Sequence, residues 1–509
     1  MSKKRSILNV AVSIFFKVAL LVGNLLVRRY LIRFIGNDVN GLNSLYLSII
    51  GMLSVVELGI GSAIIYCMYK PIVTGDTGKV LSLYNLFKKI YLIIGGIITV
   101  AGCALMPFLP YLAKGYADID VNLYLTFGIM LLSVVITYFF SAQTSLMNAY
   151  EDNYVSTTIT SCGQLLQYVL QIVVLFITKS FVWYLVCRII AALVQWVLSS
   201  IVVKKRYTSV FESTSKTIDG DTKKEIVKNV KAMFMHRIGG VLVNTIDSII
   251  ISAFIGVTIL GKYSNYITIM TAMTGTITLF FTPLTATIGR LFIKDKGEFK
   301  RYYNFFCTLN FALGCVFFLG YYGIIEDLIV LFFGAGLELE KSISFVITVN
   351  YFIQFMRQAT LLFRDASGTF YYDRWKPIFE GLSNFVLSIL FVLFFQKVFN
   401  DDLAVVGVIV ATIITNLTIC HIVEPHVLHK YAFQTSTKKY YLRNYSYIFT
   451  FAIALLVLNF CMVHFDNKLV ELLINGCIAV GLSIIPIFCS ILLDKDFRYY
   501  AKEFLKRTK

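Results

Sequence analysis

Charge is scarce in this chain: Asp, Glu, Lys and Arg supply only 15% of its 509 residues. An average soluble protein carries about 25%. So few charged groups cannot clothe the several water-facing domains that this length would otherwise form, which excludes an assembly of soluble domains. Metal and redox signatures are missing too. The ten cysteines lie in or beside apolar runs with no CxxC pair, so they read as small core residues. His421, Glu424, His426 and His429 resemble a metal cluster, but Pro425 interrupts their helix and their spacing scatters them around its axis. No metal and no cofactor is expected there. Neither a phosphate-cradling glycine loop, a Ser/His/Asp set nor a paired-carboxylate constellation is present, which removes the common hydrolytic and nucleotide chemistries.

What is abundant is apolar sequence: 58% of the residues are hydrophobic. Crossing a ~30 Å hydrocarbon core takes about 20 residues, and about fourteen runs of that kind can be drawn. Among them are 8–35, 42–67, 90–112, 263–289, 304–325, 342–363 and 403–423. The first follows Lys3, Lys4 and Arg5 but runs on to Arg28 and Arg29 with no small-residue cleavage site, so it reads as a retained helix. The expected fold is an all-α, polytopic membrane protein. The formal net charge of +17 could suggest nucleic acid. Threading alternate spans from a cytoplasmic N-terminus instead collects most of the Lys and Arg in cytoplasmic segments, so both termini are expected in the cytoplasm and no nucleic acid is needed. The longest connections, Lys204 to Lys231 inside and Glu326 to Lys341 outside, are too short to fold as catalytic domains. The chain is therefore expected to work between its helices, and not as an enzyme.

An internal repeat organises these helices. Phe34-Ile35-Gly36, Gly41 and Tyr46 recur at one constant offset as Phe254-Ile255-Gly256, Gly261 and Tyr266. The same offset pairs Asn24 with Asn244 and Lys17 with Arg237, and a nearly equal one pairs Tyr150 and Asp152 with Tyr371 and Asp373. Two parallel six-helix lobes are expected at 1–215 and 216–430, with two appended helices and a basic tail at 431–509. Parallel repeats around a cavity are a transporter architecture.

Polar groups inside the spans mark the candidate site. On helix 1, Lys17, Asn24 and Arg28 share one stripe. Arg237, Asn244 and Ser248 repeat it on helix 7, with Asp247 to one side. An ionised side chain at membrane depth costs ~3 kcal/mol or more, so it normally faces protein or water. Arg33, near its helix end, reads as snorkelling. Glu57 can pair with an arginine of helix 1, Gln354, Arg357 and Arg364 share a side of helix 10, and Arg188 lies in the outer half of helix 6. Thr160, Gln164, Gln167 and Gln171, and the threonines from Thr268 to Thr285, are equally well read as packing and back-bonding faces. Cations outnumber carboxylates within the spans, which favours an anionic ligand.

The chain resembles the polysaccharide transporter family, the O-antigen-flippase-like branch of the multidrug/oligosaccharidyl-lipid/polysaccharide exporter superfamily. The matching stretches are Arg28 to Gly36, Gly41-Leu42-Asn43-Ser44-Leu45, Glu57-Leu58-Gly59-Ile60-Gly61 and Tyr69-Lys70-Pro71. Further on come Phe363 to Gly368, Asp373 to Pro377, and Glu424-Pro425. The resemblance implies a flippase of the bacterial cytoplasmic membrane that moves undecaprenyl-pyrophosphate-linked oligosaccharide by alternating access. It also implies a coupling ion, H+ or Na+, and contact with other polysaccharide-assembly proteins. It matches Arg29 to the family's helix 1 arginine, whereas the helical wheel selects Arg28; both stay as candidates. The competing readings are a drug/cation antiporter of the same fold, which would favour a carboxylate-rich cavity, a membrane polymerase or glycosyltransferase, which would need a larger outer loop, and a scaffold for polysaccharide assembly.

Overall fold

The computed structural model describes residues 3–57, 60–218, 220, 245–281, 284–400 and 402–507. Among these residues the chain is 88% helical with no strands. Nine of the described helices are long and apolar enough to cross a membrane, and Ile60–Val73 and Thr245–Ile255 are shorter apolar helices. The all-α, polytopic class follows. Contacts divide the chain into two compact units, Met1–Gly261 and Lys262–Lys509.

In the first unit the helices are α1 (Lys3–Phe34), α2 (Asn37–Leu53), α3 (Ile60–Val73), α4 (Thr77–Leu105), α5 (Leu123–Ala149), α6 (Asn153–Thr178), α7 (Phe181–Arg206) and α8 (Thr245–Ile255). Helix α9 (Val257–Phe281) follows and carries the chain into the second unit. There lie α10 (Leu284–Lys294), α11 (Lys296–Phe333), α12 (Lys341–Met356), α13 (Gln358–Ser367), α14 (Lys376–Val398), α15 (Ala404–Phe433), α16 (Lys438–Cys461), α17 (Lys468–Leu493) and α18 (Lys495–Arg507). Short polar side chains start several of them. Asp76 accepts from Lys79 N, Asn122 from Leu125 N, and Asn467 from Leu469 N and Val470 N. Each satisfies a backbone donor that a helix start leaves orphaned.

Hydropathy located these segments but not their breaks. The run 42–67 divides into α2, a 3-10 turn at Ser54–Glu57, and α3. The run 342–363 breaks at Arg357, between α12 and α13. The opposite difference appears at Pro425, which lies inside the continuous helix α15. Flanking π-turns at Asn416–Cys420 and His429–Phe433 absorb the misfit, so the proline does not end the helix.

The repeat has a physical signature. Gly36 and Gly256 adopt nearly the same rare backbone, φ 129 ψ 164 and φ 144 ψ 162, which only glycine enters without strain. Each turns the chain from one helix into the next. Five residues later, Gly41 and Gly261 cross reciprocally. A Cβ on Gly41 would collide with Val257 O, and a Cβ on Gly261 would collide with Asn37 O. Asn37 and Asn40 then donate to Thr258 O and Gly261 O at 2.8 and 3.1 Å. Tyr46 and Tyr266, both fully buried, repeat one role. The Tyr46 hydroxyl donates to Leu123 O at the start of α5, and the Tyr266 hydroxyl accepts from Leu339 N just before α12.

Within the first unit α1 packs along α6, and α6 along α7. In the second, α14 packs on α15, and the late helix α17 lies against α11. Gly323 makes that last approach close, because a Cβ there would fall 2.9 Å from Asn475 O.

Candidate substrate-binding site

The helix 1 stripe opens onto a polar cluster inside the first unit. Gly23 removes the side chain that would collide with Tyr168, since a Cβ there would lie 2.6 Å from the Tyr168 ring. The buried Tyr168 therefore lies against α1, where its hydroxyl accepts from Gln164 Nε2 at 3.1 Å and Asn24 lies within its electrostatic reach. About one turn along α6 from Tyr168, Gln171 receives Gln167 Nε2 at 3.3 Å and donates to Tyr184 O at 3.2 Å. The buried Tyr184 ring on α7 lies within electrostatic reach of both Arg28 and Arg188. Asn24 and Arg28, two of the sequence candidates, thus act on tyrosines of α6 and α7, Asn24 on Tyr168 and Arg28 on Tyr184.

The remaining candidates of this unit distribute more widely. Lys17 is exposed and Arg29 half-buried. Glu57 Oε1 accepts from Tyr91 Oη at 3.1 Å and interacts with Tyr138. Asp247, on α8, is half-buried. Arg237 and Asn244 lie outside the described residues. Tyr168, Tyr184 and Arg188 complete the cluster without having been chosen as site residues. Arg188 carried a signal, as a cation within an apolar run; the tyrosines carried none, being ordinary interior residues by composition.

Arg357 and Arg364 have a different environment. Arg357 grips Glu424 with Nε at 3.1 Å and Nη2 at 2.6 Å, while Nη1 donates to Asn416 at 2.6 Å and Glu380 at 3.3 Å. Lys376 donates to the same Glu424 at 2.5 Å and to Glu380 at 2.9 Å. Glu424 is fully buried and Lys376 and Glu380 nearly so. Arg364 holds Asp365 and the buried Asp373. Asp373 corresponds in the repeat to Asp152, which is equally buried and binds Arg206 and Tyr207. Each half of the chain thus ties an arginine to a buried aspartate. Forked guanidinium–carboxylate pairs of this kind are strong and directional, and here they hold α13, α14 and α15 together.

The histidines near Glu424 are engaged in packing. His421 Nε2 meets Ile353 O at 2.9 Å while its Nδ1 accepts from Asn444, and His429 Nδ1 meets Pro425 O at 2.9 Å. The threonine face of α9 bonds back to its own helix. Thr268, Thr271, Thr274 and Thr278 donate to the carbonyls of Ser264, Ile267, Met270 and Thr274, as the back-bonding reading expects.

Outside the membrane runs, Asp76 at the start of α4 accepts from Lys216 Nζ at 2.9 Å. That hydrogen bond, with the one from Lys79 N, holds its carboxyl below the usual carboxylate value. Ser82 Oγ donates to Lys216 O at 2.5 Å, and Ser213 Oγ to Thr77 Oγ1 at 2.5 Å. The segment after α7 is strapped across the α4 terminus.

Comparison with known proteins bears on the same fold. A sequence model described as a polysaccharide biosynthesis protein matches residues 8–288. No curated protein matches the chain. Among solved structures, lipid II flippase MurJ in an inward closed conformation aligns with a TM-score of 0.62 at 14% identity, covering 96% of this chain and 100% of that one. An inward-facing multidrug resistance MATE family transporter of the MOP superfamily aligns at 0.60 and 14% identity, covering 82% of this chain and 99% of that one. A mutant of the Vibrio cholerae MATE transporter VcmN aligns at 0.57 and 13%, covering 84% and 97%. At such identities the likeness is one of fold, which this chain shares with those three structures.

Proposed function

The chain belongs to the polysaccharide biosynthesis protein family, and from that premise we propose that it flips a lipid-linked anionic oligosaccharide across the cytoplasmic membrane by alternating access. The substrate class is an oligosaccharide repeat unit carried on undecaprenyl pyrophosphate. The observation that carries this reading is the cationic and amide-rich cluster of Asn24, Arg28, Gln164 and Arg188 inside the first unit. Arginine forks suit phosphate oxygens, amides and phenols suit sugar hydroxyls, and the polyprenyl tail needs only lipid. The stripe of Lys17, Asn24, Arg28 and Arg29, with its repeat partners Arg237 and Asn244 and the nearby Glu57 and Asp247, lines the path in this reading. Arg357 and Arg364 act through the ion pairs that hold the second unit together.

Transport needs an energy source, and a gradient of H+ or Na+ across the membrane supplies it in this account. Both termini face the cytoplasm, as the basic segments require. A MATE-like exchange of organic cations is the second reading, favoured by the fold shared with the MATE transporters. Cationic ligands call for carboxylates, whereas the α1/α6/α7 cluster presents arginines. Loss of surface polysaccharide export with Arg28→Ala, in a variant that accumulates normally in the membrane, is the expected result in cells. Undiminished export by that variant overturns the placement of the site.

A further inference from the structure

Helix α10 carries Thr287, Arg290 and Lys294 at spacings i, i+3 and i+7, which align them in one stripe within about 60° of arc. Other faces of the helix are committed to the second unit. Phe292 packs on Phe299 of α11 with ring centroids 4.9 Å apart, and Ile288 is buried. Gly289 lies so close to α13 that a Cβ would stand 3.2 Å from Ala366 O. The stripe lies about 100–160° around α10 from Gly289, and it borders a cleft of about 240 Å³ between α10 and the first turns of α11. Leu291 of α10 and Glu298 and Tyr302 of α11 complete the wall. Among the described residues no ion pair joins Arg290 or Lys294 to Glu298 or to another carboxylate.

Three features set this cleft at the level of lipid headgroups. Ile293, beside the stripe, is 86% exposed, a placement that acyl chains tolerate and water does not. Tyr302 packs on Tyr500 of α18 with ring centroids 4.6 Å apart, and Tyr499 is exposed; tyrosines gather in this way at a membrane interface. Basic helix starts meet at the same end. Tyr440 brings the start of α16, with Lys438 and Lys439, onto Tyr303, and Phe497 brings that of α18, with Lys495 and Arg498, onto Phe305. Basic segments of this kind mark the cytoplasmic end of a membrane protein.

Charge inside the cleft is unbalanced. Arg290 and Lys294 share it with one carboxylate, Glu298, so a single phosphodiester neutralises the site. The adjoining cleft, lined by Asp295, Glu298 and Arg301, has the opposite balance and repels an anion. Basic pockets between membrane helices on the cytoplasmic side take up anionic headgroups. We propose that the α10/α11 cleft is a resident site for an anionic phospholipid of the cytoplasmic leaflet. Its phosphodiester sits between Arg290 and Lys294, Thr287 Oγ1 donates to it, and its chains leave along Leu291 and Ile293. A choline head would set a quaternary ammonium beside two cations with only Glu298 to offset them, so the cleft selects lipids of net negative charge. This lipid is separate from the cargo, and its site does not rest on the flippase reading.

The test is displacement of tail-labelled phosphatidylglycerol from the purified full chain in a neutral detergent. Unlabelled phosphatidylglycerol displaces it from a saturable site, and phosphatidylcholine is weaker by about tenfold or more. Arg290→Gln combined with Lys294→Gln, both at exposed positions, loses that preference and keeps the lipid-free thermal midpoint. Arg301→Gln, in the adjoining cleft, retains the preference. Should the double variant not fold, Lys294→Gln alone still lowers the preference severalfold. Equal displacement by the two lipids, or an unchanged preference in the folded variants, overturns the site. Equal displacement by glycerol phosphate, which has the head without the chains, overturns it as well, because the cleft then binds free phosphate. Displacement by undecaprenyl diphosphate at lower concentration than phosphatidylglycerol gives the cleft to the cargo and overturns the resident lipid.

Discussion

Glu424 receives three charged hydrogen bonds, two from Arg357 and one from Lys376, at a site with no solvent exposure. Removing one member of a buried ion group strands the others, at a cost of about 3–5 kcal/mol. Glu424→Gln is therefore expected to lower the thermal midpoint strongly, with Glu380→Gln milder because that carboxylate shares only part of the network. Equal midpoints for wild type and Glu424→Gln would show that the cations find other partners. At this scale the sequence was partly legible. Glu424 was legible only as part of a metal-like group with His421, His426 and His429. Its true partners come from the α12/α13 break and from α14, and their spacing carries no sequence period. Arg357 and Arg364 were legible as interior cations and not as ion-paired ones, for the same reason.

Gly41 and Gly261 make the sharpest steric demand. A Cβ at either would press on a backbone carbonyl, which cannot rotate away. Gly41→Ala and Gly261→Ala are each expected to destabilise by about 1–3 kcal/mol, the range for forced overpacking. Gly96 lies mid-helix in α4 with open space around its Cβ position. Gly96→Ala should be neutral or stabilising, by up to about 1 kcal/mol of helix propensity. A thermal-shift series separates the three, and similar behaviour of all would remove the close crossing from the account.

Among the elements, the strap from Ser213 to Lys216 across the start of α4 is pH-dependent. The Asp76 carboxyl is held below its usual value by Lys216 and the Lys79 amide. A carboxylate depressed on folding stabilises above its unfolded pKa of about 4 and loses that contribution as pH falls through the lower folded value. Proteolysis or hydrogen exchange at 212–216 should thus be slow at neutral pH and accelerate below about pH 4. Asp76→Asn should be fast at both. Equal protection of wild type and Asp76→Asn at neutral pH would contradict the strap. The breaks at Ser54–Glu57 and at Arg357 belong to this scale too. They were invisible to hydropathy because the residues around them remain apolar.

For the molecule as a whole, the repeat was legible because glycine at a positive φ leaves a residue-level mark. The matching conformations of Gly36 and Gly256, and the matching roles of Tyr46 and Tyr266, give that pattern its physical content. The sparse charge was legible as a polytopic membrane protein, which the long apolar helices bear out. How the interior arginines divide was not: those of the second unit meet carboxylates, while among the described residues the ionisable groups acting on Arg188 in the first are Tyr184 and Tyr168. That division depends on which helices become neighbours, and it turns a basic membrane protein into a candidate carrier of an anionic lipid.

The most direct measurement is transfer of a fluorescent polyprenyl-diphosphate oligosaccharide between the leaflets of proteoliposomes containing the purified chain, with and without an imposed ion gradient. The account predicts protein-dependent transfer by wild type and little or none by folded Arg28→Ala. Absence of transfer by wild type under every gradient, with an organic cation moved instead, would contradict it.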